Sequence, residues 1–341
     1  LPRKKNHYIP KFYLKNWVNT SGKVWVYRTL VSHDSVPKWK EVSPDRLTSY
    51  DHLYNKFTKD GINDDLEFLF DSEIESKAAP SINSAINDYW LTSSDWKNII
   101  KFFQAQDVRT PKRYYEHKEM HSNVMQKIID DAGDKLKYYL ENPEKLDAAN
   151  KDLDLNQKYP RVPLKMEITN IDEKNSGVKI STSIGRESWI EGIKYLLNED
   201  FSKILTSHRW TILKPFKGLN WITSDCPTIK LNYHKKDVYD FNGGWGSRGT
   251  EFLLPLDPNH LLYAKVGEKP PLKGSMVNKN QTIRINHLIA ENALRIIISS
   301  KKIKDIENIR PRVVDKETFE FEKNEWSKWH IDQSKAEKDF I

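Results

Sequence analysis

Two short stretches hold residue types that do chemistry. Asn6-His7-Tyr8-Ile9-Pro10 sets an imidazole among cations and aromatic rings. An imidazole exchanges protons near neutral pH, so His7 is a candidate general acid or base. Thr223-Ser224-Asp225-Cys226-Pro227 follows the apolar pair Trp221-Ile222. Small hydroxyls and a carboxylate at a strand end form a tight Asx or Ser/Thr turn. The same Asp225, with Glu251 as a second carboxylate, would hold Mg²⁺. Both stretches also have a plain structural reading, His7 bonded to backbone and 223–227 a turn only.

Other patterns are weaker. Arg113, His117 and His121 share a predicted helix but lack the short Arg-to-His spacing of helical ribonucleases, and read as a solvated face. The glycines of 243–249 would let N–H groups approach an anion, yet they follow no phosphate-binding consensus and read as a loop tip. Cys226 is the only cysteine, which excludes a disulfide scaffold and cysteine-based zinc sites. There is no His-Glu-x-x-His, and Gly246-Ser247-Arg248-Gly249 lacks the spacing of a nucleophile elbow.

Charge adds a direction. Residues 1–60 carry 12 Lys/Arg and five acids, which accounts for the whole net charge of +7. Tyr8, Phe12, Tyr13, Trp17, Trp25, Tyr27 and Trp39 lie in the same stretch. Cations for phosphates interleaved with flat rings for bases suit single-stranded nucleic acid. The plainer alternative is a solvated basic face over core aromatics. No run approaches the roughly 18 apolar residues of a membrane span, and no signal-peptide pattern opens the chain. A cytoplasmic protein with no membrane partner is therefore expected.

The elements that must position these residues follow from periodicity. Lys23–Arg28 reads as a strand after a Thr20-Ser21-Gly22 turn. Residues 32–60 read mostly as loop. Helical spacing runs through 62–90, with Pro80 as a break. Thr92-Ser93-Ser94-Asp95 is a helix-start signature, and a third helix carries Met120, Val124, Ile128 and Leu136 on one face. The polar stretch 142–163 is the best boundary. A hairpin is expected around Asn175-Ser176-Gly177. One helix is expected over 187–206, strands over 210–263 and one helix over 282–299. Phe319, Phe321, Trp326 and Trp329 are candidate docking anchors in a polar tail.

Several pieces occur together in an order that resembles the bacterial domain of unknown function 4238 family. They are the His7–Leu14 and Gly22–Tyr27 stretches, Glu73–Pro80, Phe103–Pro111, Trp221–Pro227, Leu254–Pro258 and the Asn286–Ile298 stretch. Asn6 stands where many members begin with a second His, and Cys226 where Asn is expected. The resemblance implies an accessory bacterial protein, with phage defence or toxicity as context.

The expected fold is α+β, a helical block packed on a mostly antiparallel sheet. Residues 1–60 form a basic segment joining the C-terminal sheet, 61–142 the helical block, 160–310 an α+β domain with the sheet, and 311–341 a polar tail. The leading expectation for function is a nuclease. In it His7, Asp225 and Glu251 are catalytic, Asp225 and Glu251 hold Mg²⁺, and Tyr8, Lys11, Arg109 and Ser224 contact RNA or DNA. Arg109 suits a phosphate clamp because guanidinium binds phosphate oxygens in pairs. Two alternatives stay open: a non-catalytic module gripping nucleic acid or a partner protein, and a small-molecule sensor with its pocket lined by the same motifs.

Overall fold

A computed structural model describes residues 3–142, 145, 164–170, 176–235 and 238–339. The fold is α+β. Strand Val24–Arg28, rich in β-branched and aromatic side chains, pairs antiparallel with Trp39–Val42 on one side and Ile296–Ser299 on the other. Thr223–Ser224 extends this sheet beyond Ile296–Ser299. A second antiparallel sheet has the order Trp210–Leu213, His260–Lys265, Glu251–Asp257, Ile229–Lys235, Val238–Asp240. Among the described residues there are thus two principal sheets where one was expected. The N-terminal strand pairs directly with Ile296–Ser299 of the C-terminal half.

That strand corrects the expected helix over 282–299. The helix is Lys279–Asn292, opened by an Asn278–Gln281 capping box. Three consecutive isoleucines then favour an extended, buried strand over further helix. The expected helix over 187–206 is likewise two, Arg186–Leu196 and Glu199–Thr206. Asn198 divides them, its side chain accepting from the N–H groups of Asp200 and Phe201.

The helical block begins with Asp65–Phe68, passes through wide π turns at Leu69–Glu75 and continues as Ser76–Ile86. Pro80 lies inside the last of these, one turn after the π segment, and does not break it. Ser93–Val108 starts at Thr92, whose hydroxyl accepts from Asp95 N while Asp95 accepts from Thr92 N. Its Phe103 ring meets Trp210 and Phe252 edge-on at 5.1 and 5.4 Å, which seats the helix on the larger sheet. In the long helix Pro111–Glu141, Tyr114 is buried but Met120, Val124 and Ile128 are exposed, so the expected apolar face is not covered there. Residues 32–60, expected to be loop, hold short strands including Ser49–Asp51. Leu164–Asn170 and Ser176–Thr182 pair as a hairpin, but Ser176 and Gly177, expected at its turn, lie in the second strand opposite Asn170 and Thr169; Asn175 and most of 142–163 lie outside the described residues.

The tail is a helix, Lys316–Lys338. Trp329 is buried, Trp326 half-buried and Phe321 exposed. Near the end of this helix, Glu337 grips Arg186, which is 0% exposed, through Nε (2.8 Å) and Nη2 (2.6 Å). One connected core runs from Tyr8 to Trp329. Among the described residues no helix is long and apolar enough to cross a membrane.

A buried charge cluster ties the helical block to the larger sheet. Asp107 Oδ1 accepts from Arg113 Nη2 at 2.5 Å; Oδ2 accepts from Trp245 Nε1 at 2.8 Å and lies 2.8 Å from Lys230 Nζ. Burial alone would raise this carboxyl, but Arg113 and Lys230 outweigh it and hold it down at about 2. A carboxyl held low in the fold stabilises it above the ordinary value of about 4, and that gain is lost as pH falls toward about 2. Asp107→Asn should lower stability at neutral pH and flatten its acid dependence between those values. Urea unfolding across a pH series checks this, and an unchanged acid slope would refute it.

Candidate functional site

The N-terminal motif is held by Arg109. Lys5–His7 pairs antiparallel with Ser49–Asp51, and Tyr8 N donates to Thr48 O at 2.9 Å. Arg109 Nε donates to Tyr8 O (2.8 Å), Nη2 to His7 O (2.7 Å) and Nη1 to Glu75 Oε1 (2.7 Å). Its guanidinium also stacks on Phe70 at 4.5 Å, and the residue is 1% exposed. Arg109 therefore fastens backbone and is not presented to a phosphate.

The second motif is a junction. Ser224 Oγ accepts from Cys226 N, the expected turn. Asp225 Oδ1 accepts from Leu294 N (2.9 Å), and Oδ2 from Arg295 N (2.7 Å) and Ile296 N (2.9 Å). Asn292 adds bonds from its amide to the carbonyls of Cys226 and Thr228. The turn at 223–227 thus captures the chain between helix Lys279–Asn292 and strand Ile296–Ser299. Burial pushes the Asp225 carboxyl up to about 6, although those three N–H groups and Arg295 pull it down.

The two motifs meet, through Tyr8 and Asp225, in a cleft of about 470 Å³. Tyr8 stacks on Tyr50 (5.7 Å between ring centroids), and Tyr50 stacks on Trp326 (4.0 Å, 10° between planes). Tyr115 meets Trp326 edge-on at 6.0 Å. Phe319, Arg28, Arg295 and Lys323 share the lining, with Asp51 and Glu322. Arg295 is paired with Glu322 through two bonds. Burial, then the Tyr50 and Asp225 neighbours, drives the Tyr8 phenol well above its ordinary value, so it stays protonated.

Other expected site residues lie elsewhere. His7 is outside the cleft lining; burial with Lys11 and Lys5 lowers its imidazole to about 4, so it is neutral at physiological pH. Its Nε2 is buried without a hydrogen-bond partner among the described residues. Lys11 is paired with Asp45 at 3.5 Å. Ser224 is buried. Glu251 opens a strand of the larger sheet, 3.5 Å from Lys265, and does not share the cleft with Asp225. Both Asp225 oxygens already accept main-chain N–H groups, and no cluster of three or more potential metal ligands occurs among the described residues. The expected Asp225–Glu251 pair does not fit Mg²⁺.

Sequence reasoning missed Tyr50, Tyr115, Arg28, Arg295, Glu322 and Lys323, and treated Trp326 only as an anchor. One signal was present. Phe319, Glu322, Lys323 and Trp326 follow i, i+3, i+4, i+7 spacing, one helix face.

Residues 5–303 match the family described as proteins of unknown function, DUF4238. The chain belongs to this family. The DUF4238 match spans Tyr8, Tyr50, Tyr115, Asp225 and Arg295. Helix Lys316–Lys338, which completes the cleft, lies beyond the matched residues. No curated protein and no solved structure matches the chain.

Proposed function

We propose that the cleft recognises a nucleotide unit of single-stranded nucleic acid. The observation that supports this is the Tyr8–Tyr50–Trp326 ladder on the same lining as Arg28, Arg295 and Lys323. Flat rings accept bases of any sequence, and Arg28, which has no carboxylate partner among the described residues, suits a phosphate, while Arg295 is held by Glu322 and Lys323 by Glu320. The basic excess of residues 1–60, including Arg28, agrees with this reading. The test is fluorescence anisotropy with labelled single- and double-stranded RNA and DNA over a salt series. Binding should favour single strands and weaken steeply with salt. Trp326→Ala should weaken binding by about 1–3 kcal/mol, the worth of one stacking partner. Unchanged affinity in a folded Trp326→Ala protein would remove the reading.

Phosphodiester hydrolysis is a second reading, favoured by one observation: a carboxyl raised to about 6 beside a phenol on the cleft wall. Such a group exchanges protons near neutral pH. The same labelled strands, incubated with and without Mg²⁺ and Mn²⁺, decide it by the presence or absence of cleavage.

A further inference from the structure

A second cavity, of about 550 Å³, lies between helices Pro111–Glu141 and Arg186–Leu196 and the glycine-rich loop that carries Trp245. Its walls are mostly apolar, with the Trp189, Phe201 and Trp245 rings among them. Two features that look inert in the sequence meet here. Arg113, on the expected solvated face, is bonded to buried Asp107 and to Glu116. Trp245, on the expected loop tip, donates its indole N–H to the same Asp107.

The charges in this cavity balance. Asp107 and Glu116 stand against Arg113 and Lys230, and burial beside His121 keeps His117 neutral, lowered to about 4. A charged ligand would set a further charge beside mostly apolar walls with no opposite charge left to pair it, which is costly. Arg113 spends its Nε, Nη1 and Nη2 on the Asp107 carbonyl, Glu116 and the Asp107 carboxylate. Lys230 differs. Asp107 is the one hydrogen-bonding or ion-pair partner of its ammonium among the described residues, at 2.8 Å, and the Trp245 ring lies 5.7 Å from Nζ. An ammonium has three donors, so donor capacity is left over beside mostly apolar walls.

We propose that this cavity binds an uncharged, mostly apolar carbonyl compound. Its oxygen accepts from Lys230 Nζ and its body lies against the Trp189, Phe201 and Trp245 rings. The site is separate from the aromatic cleft, and the two share no lining residue.

The experiment uses the full chain and N-phenyl-1-naphthylamine as a fluorescent reporter. The competitors are 2-acetylnaphthalene, 2-ethylnaphthalene and 2-naphthoate. The ketone should displace the reporter about tenfold better than the hydrocarbon, the effect of one hydrogen bond, and better than the carboxylate. Lys230→Met should erase the ketone's advantage. Gly192→Leu fills the cavity from a helix position. Its first added carbon meets only His117, at 3.4 Å, and leucine favours helix over glycine. A folded Gly192→Leu protein should therefore lose reporter binding even where Lys230→Met proves too unstable to measure. No reporter binding to the native chain, equal displacement by ketone and hydrocarbon, preference for the carboxylate, or native-like binding by folded Gly192→Leu would each overturn the proposal.

Discussion

Glu337→Ala is expected to lower the thermal midpoint by about 4–7 °C, the larger of two single-residue effects. Arg186 is fully buried, and Glu337 supplies the carboxylate for its Nε and Nη2. Its remaining contacts are Ser334 Oγ, His330 Nδ1 and the His52 carbonyl, none of them anionic. Removing one member of a buried pair leaves an uncompensated charge, which costs about 3–5 kcal/mol. Glu337 also accepts from Phe57 N at 2.7 Å, so the same change orphans a main-chain donor. The double replacement Arg186→Met with Glu337→Leu removes both charges and should recover much of the loss. Differential scanning calorimetry on the three proteins checks this; a native midpoint for Glu337→Ala would show that the pair contributes nothing.

Asp225→Asn should come next, at about 2–4 kcal/mol. The carboxylate accepts three N–H groups in succession along Leu294, Arg295 and Ile296. An amide has one acceptor oxygen, and its NH₂ must then face a donor. Ser224→Ala, which removes one neutral bond to Cys226 N, should cost only about 1 kcal/mol. Guanidinium unfolding ranks the two. If Asp225→Asn keeps the native midpoint, the three bonds are not what holds the junction. If it stays folded and binds nucleic acid normally but loses cleavage, the hydrolytic reading gains.

Local elements were the readable part of this sequence. The Thr92–Asp95 capping box and the Lys23–Arg28 alternation are set by neighbours within a few positions, and the structure has both. Elements fixed by distant contacts were not. The isoleucines of 296–298 continue the apparent helical period of 283–289, and what stops the helix includes Asp225, about seventy positions earlier. Arg109 looks like a free cation because sequence spacing carries no information on burial; its partners, the adjacent His7 and Tyr8 and the distant Glu75, come from two other places in the chain. The cleft was half legible. The sequence points to His7 and Asp225 sharing one site with Tyr8 on the substrate, whereas the cleft takes Tyr8 and Asp225 and leaves His7 outside its lining.

The placement of Ile296–Ser299 has a consequence for biosynthesis. Val24–Arg28 can join Trp39–Val42 soon after both leave the ribosome, but its other edge is filled only by Ile296–Ser299. At typical elongation rates the intervening stretch takes on the order of 10–50 s to make. Until then the Val24–Arg28 edge has no partner strand, and an open edge of this kind is a template for pairing with another chain.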